Sequence, residues 1–452
     1  MNRYNLPVAG RFPSFSLGLL AVAATLPVVG CSRKPSHELQ AGSYRATVEL
    51  PGSKLVPFGL DVAQEEAGPV LYLINGDERV RLTEVTSAQG KVTARVPGYE
   101  TTLTAAVAGD ELTGHVALVQ AAGKAMKLPF TARLGETWRF HPQALPNNAD
   151  FEGRWSVTFT DAAGQTSAAV ALLDQDFERV TGTFQMPADD QRFLAGEAHD
   201  EELRLSRFDG GAAVLYEGKL DAQGKLVGET WSDRGGSRRF VAIRDPDASI
   251  DASALATQLR NPDAGFTFAF KDVDGRTVSS TDPRFAGKVL LVTLAGSWCP
   301  NSHDEAVMLV QFDRQYRSRG LEIVSLMFEQ HAEFERAVAA VRRFRAAQGI
   351  AYPTLVAGVA DKIQASAALP QLDAVVAYPT AIFIDRTGRV RKIHTGFAGP
   401  ATGVQHDLLR AEFTATIEAL LAEDAAATPD AADATPAPAP EPEPPAADAV
   451  SP

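Results

Sequence analysis

The chain has 452 residues, of which 45% are hydrophobic and 22% charged, and its formal charge is −13. That length has room for two or three domains, and that composition is globular, neither disordered nor fibrous as a whole. The acidic balance argues against nucleic acid as a partner.

The first thirty residues read as a leader. Arg3 and Arg11 supply positive charge ahead of an apolar run, 15–29, that is too short to cross a membrane. The run ends in Val28-Val29-Gly30-Cys31, which resembles a bacterial lipoprotein signal. The resemblance implies that Cys31 is lipidated and becomes the first mature residue, anchoring the protein to a membrane by acyl chains. A plain secretory signal is the alternative. Ser32 stands where such proteins often carry an inner-membrane retention aspartate, so a periplasm-facing outer-membrane location is favoured over the inner membrane. With 1–30 as signal, 31–40 is a polar tether. The chain has two cysteines. Acylation of Cys31 leaves Cys299 as the lone thiol and rules out an intramolecular disulfide.

From Gly42 to Arg244 the pattern is of strands. Tyr44-Arg45-Ala46-Thr47-Val48 and Val70-Leu71-Tyr72-Leu73-Ile74 alternate, with turn signals at Asn75-Gly76 and Gly109-Asp110. Gly42-Ser43-Tyr44-Arg45 is similar to Gly153-Arg154-Trp155-Ser156, Leu112-Thr113-Gly114 to Leu226-Val227-Gly228, and Phe130-Thr131-Ala132 to Phe240-Val241-Ala242. Each pair is about 110 residues apart. The expectation is two related antiparallel β modules, 41–141 and 147–245, as sandwiches or as halves of one barrel. A single large β domain is the alternative. The aromatics Trp155, Phe184, Phe193, Phe208, Tyr216 and Trp231 are core or, less commonly, a ligand cavity.

Asp245-Pro246-Asp247 breaks the β pattern, and 246–264 reads as a linker. Strands and helices then alternate through 265–423, which predicts an α/β domain with a mostly parallel central sheet and an antiparallel final hairpin. Its centre is the apolar run Val289 to Leu294, the turn Trp298-Cys299-Pro300-Asn301-Ser302, and a helical segment from Ala306. A cysteine entering a helix meets unpaired N–H groups and partial positive charge, which predicts a thiol pKa below the free value of about 8.5. Pro300 suits the first helical turn. Residues 424–452 hold Ala, Pro, Asp and Glu with no aromatic or basic residue, so a disordered acidic tail is expected.

The run from Ala295 to Glu305 resembles the active-site turn of TlpA-like thiol–disulfide oxidoreductases, which have the thioredoxin fold and fall in the broad redoxin class. Tyr378-Pro379-Thr380 resembles the cis-proline loop that faces the active cysteine in that fold. The resemblance covers roughly 265–423 and implies Cys299 as nucleophile, with Trp298, Pro300, Tyr378 and Pro379 shaping its surroundings. This chain departs from the family pattern at Ser302, which stands in place of the second cysteine. Ser302 cannot resolve a mixed disulfide, though its hydroxyl can support a thiolate. His303, four residues after Cys299, would lower the thiol pKa if charged, or simply face solvent. Thr293 stands where thioredoxins keep a buried carboxylate, so that relay is expected to be absent. Neighbouring β regions in such lipoproteins imply a spacer or partner-binding role.

The function expected from these residues is a monothiol oxidoreductase forming a mixed disulfide at Cys299. Its partners would be a disulfide-bearing protein or small thiol, and an external thiol reductant. A redox-silent binding or scaffold lipoprotein is the second reading. A peroxiredoxin-like peroxidase is the third, weakened because Gly296 and Val292 stand where that pattern needs Thr and Pro. No cofactor or metal is expected, because the eight histidines show no ligand spacing with Cys299.

Overall fold

The computed structural model describes residues 37–143, 149–251, 255–263 and 265–423. The expected leader with Cys31 and the expected disordered tail, 424–452, lie outside the described residues. Among the described residues there are three sheets, of nine, eight and seven strands. No described helix is long and apolar enough to cross a membrane.

In the nine-stranded antiparallel sheet the first and last strands lie side by side near the centre. β1 (Gly42–Leu50) pairs with β2 (Lys54–Glu65) on one side and with the last strand, β9 (Lys124–Leu134), on the other. The segment expected to be a polar tether reaches this sheet: Leu39 is buried, and the Gln40 amide donates to Gly109 O at 2.9 Å.

The eight-stranded sheet is a closed barrel in which β10 (Gly153–Thr160) pairs with both β11 (Thr166–Asp176) and β17 (Gly236–Arg244). The sequence repeats fall on corresponding places. β1 and β10 open the two modules, β9 and β17 close them, and the Leu-x-Gly pairs lie on the penultimate strands β8 (Glu111–Gln120) and β16 (Leu226–Ser232). The shared glycine has a steric cause. A Cβ on Gly114 would lie 2.0 Å from Thr104 O, and one on Gly228 would lie 2.2 Å from Glu217 O. Any side chain there would drive the neighbouring strand away.

The barrel interior is filled. Phe184 and Tyr216 stack with ring centroids 4.2 Å apart, and Phe159 and Phe240 close around them. Trp155 and Phe208 are also buried, so these aromatics are core, while Trp231 stays half-buried at the rim. The first sheet packs on the barrel through Phe58 and Phe208, 4.9 Å apart. Arg139 is half-buried in that seam, where it donates to Asn75 Oδ1, Ser206 Oγ and Ser206 O.

The seven-stranded sheet carries the cysteine. β20 (Val289–Ala295) lies between β21 (Leu321–Glu329), parallel to it, and β23 (Thr380–Ile384), antiparallel. Only β20, β21 and β22 (Thr354–Val359) run parallel; the final antiparallel pairing is the expected one, and the antiparallel pairings of β22 and β20 with their outer neighbours make the sheet more mixed than expected. β20 is buried throughout and apolar except for Thr293, because both its faces are covered. Val289 and Leu291 meet α1 (Pro300–Tyr316), α2 (Phe334–Gln348) and α4 (Val404–Ala422). Leu290, Val292 and Leu294 meet Cys299, Tyr378 and α3 (Lys362–Ala368). The expected linker docks here too, with Leu259 bridged to Leu372 and Thr257 N–H donating to Thr395 Oγ1 at 2.9 Å.

Candidate active site

β20 ends at Ala295, and four residues later Cys299 is the N-cap of α1. The turn closes by Cys299 N–H donating to Gly296 O and Ser302 N–H to Cys299 O, each at 3.0 Å. Gly296 is required by close approach: a Cβ would lie 2.3 Å from Trp298 Nε1 and 2.9 Å from Phe328 O. Into that space Trp298 Nε1 donates to Phe328 O at 2.9 Å, holding the indole edge-on to Tyr378. Pro300 starts the helix. The Tyr378–Pro379 peptide is cis, and Tyr378 O accepts from Cys299 Sγ at 3.3 Å. Trp298, Cys299, Pro300, Ser302, Tyr378 and Pro379 therefore meet at one place.

The electrostatics differ from the expectation of a lowered thiol pKa. Cys299 is only 7% exposed. Burial pushes its thiol up, against the opposing pull of the Ser302 N–H and hydroxyl and of Arg234. The helix end is present, but desolvation of the charged form outweighs it.

His303 also differs. Its imidazole is buried, stacked on Tyr99 with centroids 4.0 Å apart. Nε2 donates to Ser297 O at 2.8 Å, and Nδ1 accepts from the Gln348 amide at 2.9 Å. Burial pushes its pKa down to about 4. It is neutral near pH 7, so it neither supplies a cation to Cys299 nor faces solvent.

A buried carboxyl is present after all, from a different element. Thr293 Oγ1 donates to Glu305 Oε2 at 2.6 Å, and burial raises Glu305 to about 8. Glu305 is thus largely uncharged at neutral pH and does not oppose a thiolate as a first-turn anion would. Glu329 lies next to the turn, accepting from Ser297 N–H at 3.0 Å and Ser297 Oγ at 2.6 Å, and burial raises it to about 7.

The β region is not a detached spacer. It packs on the cysteine-bearing turn from both modules. Arg192 grips Asp304 with Nε and Nη2, each at 2.9 Å. It also meets Asp209 at 2.7 Å and Glu78 at 2.9 Å, and Arg207 adds a second cation on Asp209 at 2.8 Å. Two guanidiniums face three carboxylates. Burial raises Glu78 to about 7, so one carboxylate of the three is readily neutralised. Asn301 donates to Asp190 at 3.0 Å, and Arg234 Nη2 donates to Trp298 O at 2.8 Å. Glu100 pairs with His331 at 2.7 Å.

Between the barrel rim and Cys299 is a cleft of about 460 Å³. Sequence reasoning missed Arg192, Asp190, Arg234, Tyr99 and the cleft. These residues are distant along the chain and belong to no local motif. Among the described residues no group of three His, Cys, Asp or Glu is placed to hold a metal.

Residues 260–407 match the Redoxin family model. No curated protein matches. Among solved structures, a thiol:disulfide interchange protein of the thioredoxin family from Chlorobium tepidum is 24% identical, with TM-score 0.28, covering 36% of this chain and 97% of its own. A secreted disulfide oxidoreductase from Mycobacterium tuberculosis is 17% identical, with TM-score 0.25, covering 34% and 96%. A thiol-disulfide oxidoreductase from Bacteroides fragilis is 15% identical, with TM-score 0.24, covering 32% and 96%. By its own sheets and the Redoxin match over 260–407, the chain has an antiparallel, barrel-containing β region followed by a redoxin, thioredoxin-like domain.

Proposed function

We propose that this protein is a monothiol thiol–disulfide oxidoreductase that forms a mixed disulfide at Cys299. The observation that carries the reading is Cys299 at the start of α1, in contact with Tyr378 O at 3.3 Å and lining a cleft of about 460 Å³. Ser302 supports the sulfur but cannot resolve the adduct, so an external thiol completes the cycle. The test is incubation of the full chain with 2-hydroxyethyl disulfide at pH 8, followed by peptide mass spectrometry. An adduct on Cys299, reversed by added thiol, is expected. Modification only after denaturation overturns the reading.

A second reading, a redox-silent binding or scaffold protein, draws support from the 7% exposure and raised pKa of Cys299. It predicts that denaturation-dependent result.

For location, the proposal is a lipid-anchored envelope protein with segments 1–30 as signal, 31–40 as tether, 41–141 and 147–245 as β modules, 246–264 as linker, 265–423 as redoxin domain and 424–452 as tail. The motive is the Val28-Val29-Gly30-Cys31 run. Cys31→Ala should release the protein from membranes or block its processing. A variant still processed and membrane-bound would contradict it.

A further inference from the structure

The cleft over Cys299 has a roof, and the roof carries charge. Its far wall is the barrel rim around Thr230, Trp231 and Gly236, and its near wall is Trp298, Cys299 and Tyr378. A volume of about 460 Å³ suits a small ligand. An extended protein strand would need the barrel to move, yet Arg192–Asp304 and Arg234–Trp298 hold the barrel in place.

The lining is cationic in excess. Arg234, Arg238 and Lys362 all line the cleft, and none has an ion pair among the described residues. Arg207 lines it too, but is paired with Asp209. On the acidic side stand Asp189 and Asp190. Asp190 is already engaged by Gly399 N–H, Arg192 N–H and the Asn301 amide. That leaves three cations without an ion pair against Asp189, of which Arg234 also donates to Gly211 O and Trp298 O and Arg238 sits 4.5 Å over the Phe159 ring. Two buried side chains of the lining also hold unused polar atoms. Arg207 Nε and Tyr378 Oη have no hydrogen-bond partner, although the residues are only 3% and 6% exposed. Buried groups of this kind are normally satisfied, so they mark a place for an acceptor.

We infer that the substrate of this cleft is a low-molecular-weight disulfide bearing carboxylates, bound between Cys299 and the barrel's Arg238 with Lys362 opposite. The inference rests on the thiol–disulfide exchange proposed above. The Cys299 thiolate attacks one sulfur of the substrate, forming the Cys299–sulfur bond and breaking the substrate S–S bond. The departing thiolate leaves and takes a proton from solvent. A second small thiol, as thiolate, then attacks the substrate sulfur of the adduct, forming a new small disulfide and returning Cys299 as thiolate. Cations around the cleft favour the anionic substrate at both encounters.

The experiment compares three probes on the full chain at pH 8 and low salt: oxidised glutathione, neutral 2-hydroxyethyl disulfide and cationic cystamine. The readout is the rate of adduct formation on Cys299. Oxidised glutathione should react at least about tenfold faster than cystamine, and the ratio should shrink as salt rises, as screening requires. Lys362→Glu, at an exposed position, should cut the glutathione-to-cystamine ratio several-fold, with Arg238→Gln as a second variant. Equal rates for the three probes, with adducts forming, would overturn the cleft inference and leave the exchange reading standing. Faster modification by a folded protein disulfide would do the same. No adduct with any probe would overturn both.

Discussion

Cys299 Sγ donates to Tyr378 O at 3.3 Å, so the protonated thiol, and not the thiolate, is the form the resting site satisfies. A carbonyl oxygen can accept from S–H but repels a thiolate, and burial acts in the same direction. Alkylation of the native protein by iodoacetamide should therefore be slow at pH 7 and rise with pH, with a midpoint above the free-cysteine value of about 8.5. A midpoint below that value would mean that the helix end dominates.

Ser302 is buried, and its Oγ accepts from Gly296 N–H at 3.4 Å, one turn into the helix from Cys299. Cysteine is close to serine in size, so Ser302→Cys should fold and place a second thiol within the same turn. Intramolecular attack enjoys a large effective molarity over millimolar external thiol, so the Cys299 adduct should decay at least about tenfold faster. Quenched time points read by mass spectrometry check this. An unchanged lifetime would mean that the helix holds position 302 away from the adduct.

Much of the cysteine's neighbourhood was legible because it is local or motif-bound. Trp298, Pro300 and Ser302 lie within a single turn of Cys299, and Tyr378-Pro379 announced itself as X-Pro before an apolar strand. The Leu-x-Gly repeat was legible for the same reason, since one close strand approach demands glycine at Gly114 and Gly228 alike. The charge state of the site was not legible. Whether a thiol, His303 or Glu305 is ionised depends on desolvation, and desolvation here comes from elements such as Tyr99 and Arg192 contributed by other modules. No pattern of spacing encodes a roof built from a different domain.

The buried acids set a pH dependence of stability. Glu305 is raised to about 8, and Glu329 and Glu78 to about 7, all above the unfolded value of about 4.3. The folded state then holds more protons than the unfolded one, so stability is lost as pH rises through those values. His303, lowered to about 4, acts oppositely below its unfolded value of about 6.5. The net fall should therefore begin near pH 4.5, be steepest between about pH 6.5 and 7, and end near pH 8, with Glu305 alone carrying the last part. Glu305→Gln keeps an acceptor for Thr293 and removes the titration, so it should flatten the upper part of that fall. Thermal midpoints in a pH series test this, and a parallel series for both proteins would exclude Glu305 as the source.

Arg192 is the residue whose loss should cost most at the joint between the β region and the redoxin domain. Its side chain is 11% exposed and bridges Asp304, Asp209 and Glu78. Arg192→Met keeps the apolar stem but leaves three buried carboxylates facing Arg207 alone. Removing one partner of a buried ionic cluster costs about 3–5 kcal/mol, because the remaining charges stay desolvated. The cost should be smaller at pH 5 than at pH 8, since carboxylates freed of their cation take up protons at the lower pH. Adding Asp304→Asn should recover part of the loss, because residues in direct contact couple non-additively. Urea unfolding at both pH values, with limited proteolysis to report loosening of the barrel from α1, measures all three effects. A cost below about 1 kcal/mol at pH 8, the range of an exposed ion pair, would mean that the cluster does not hold the two parts together.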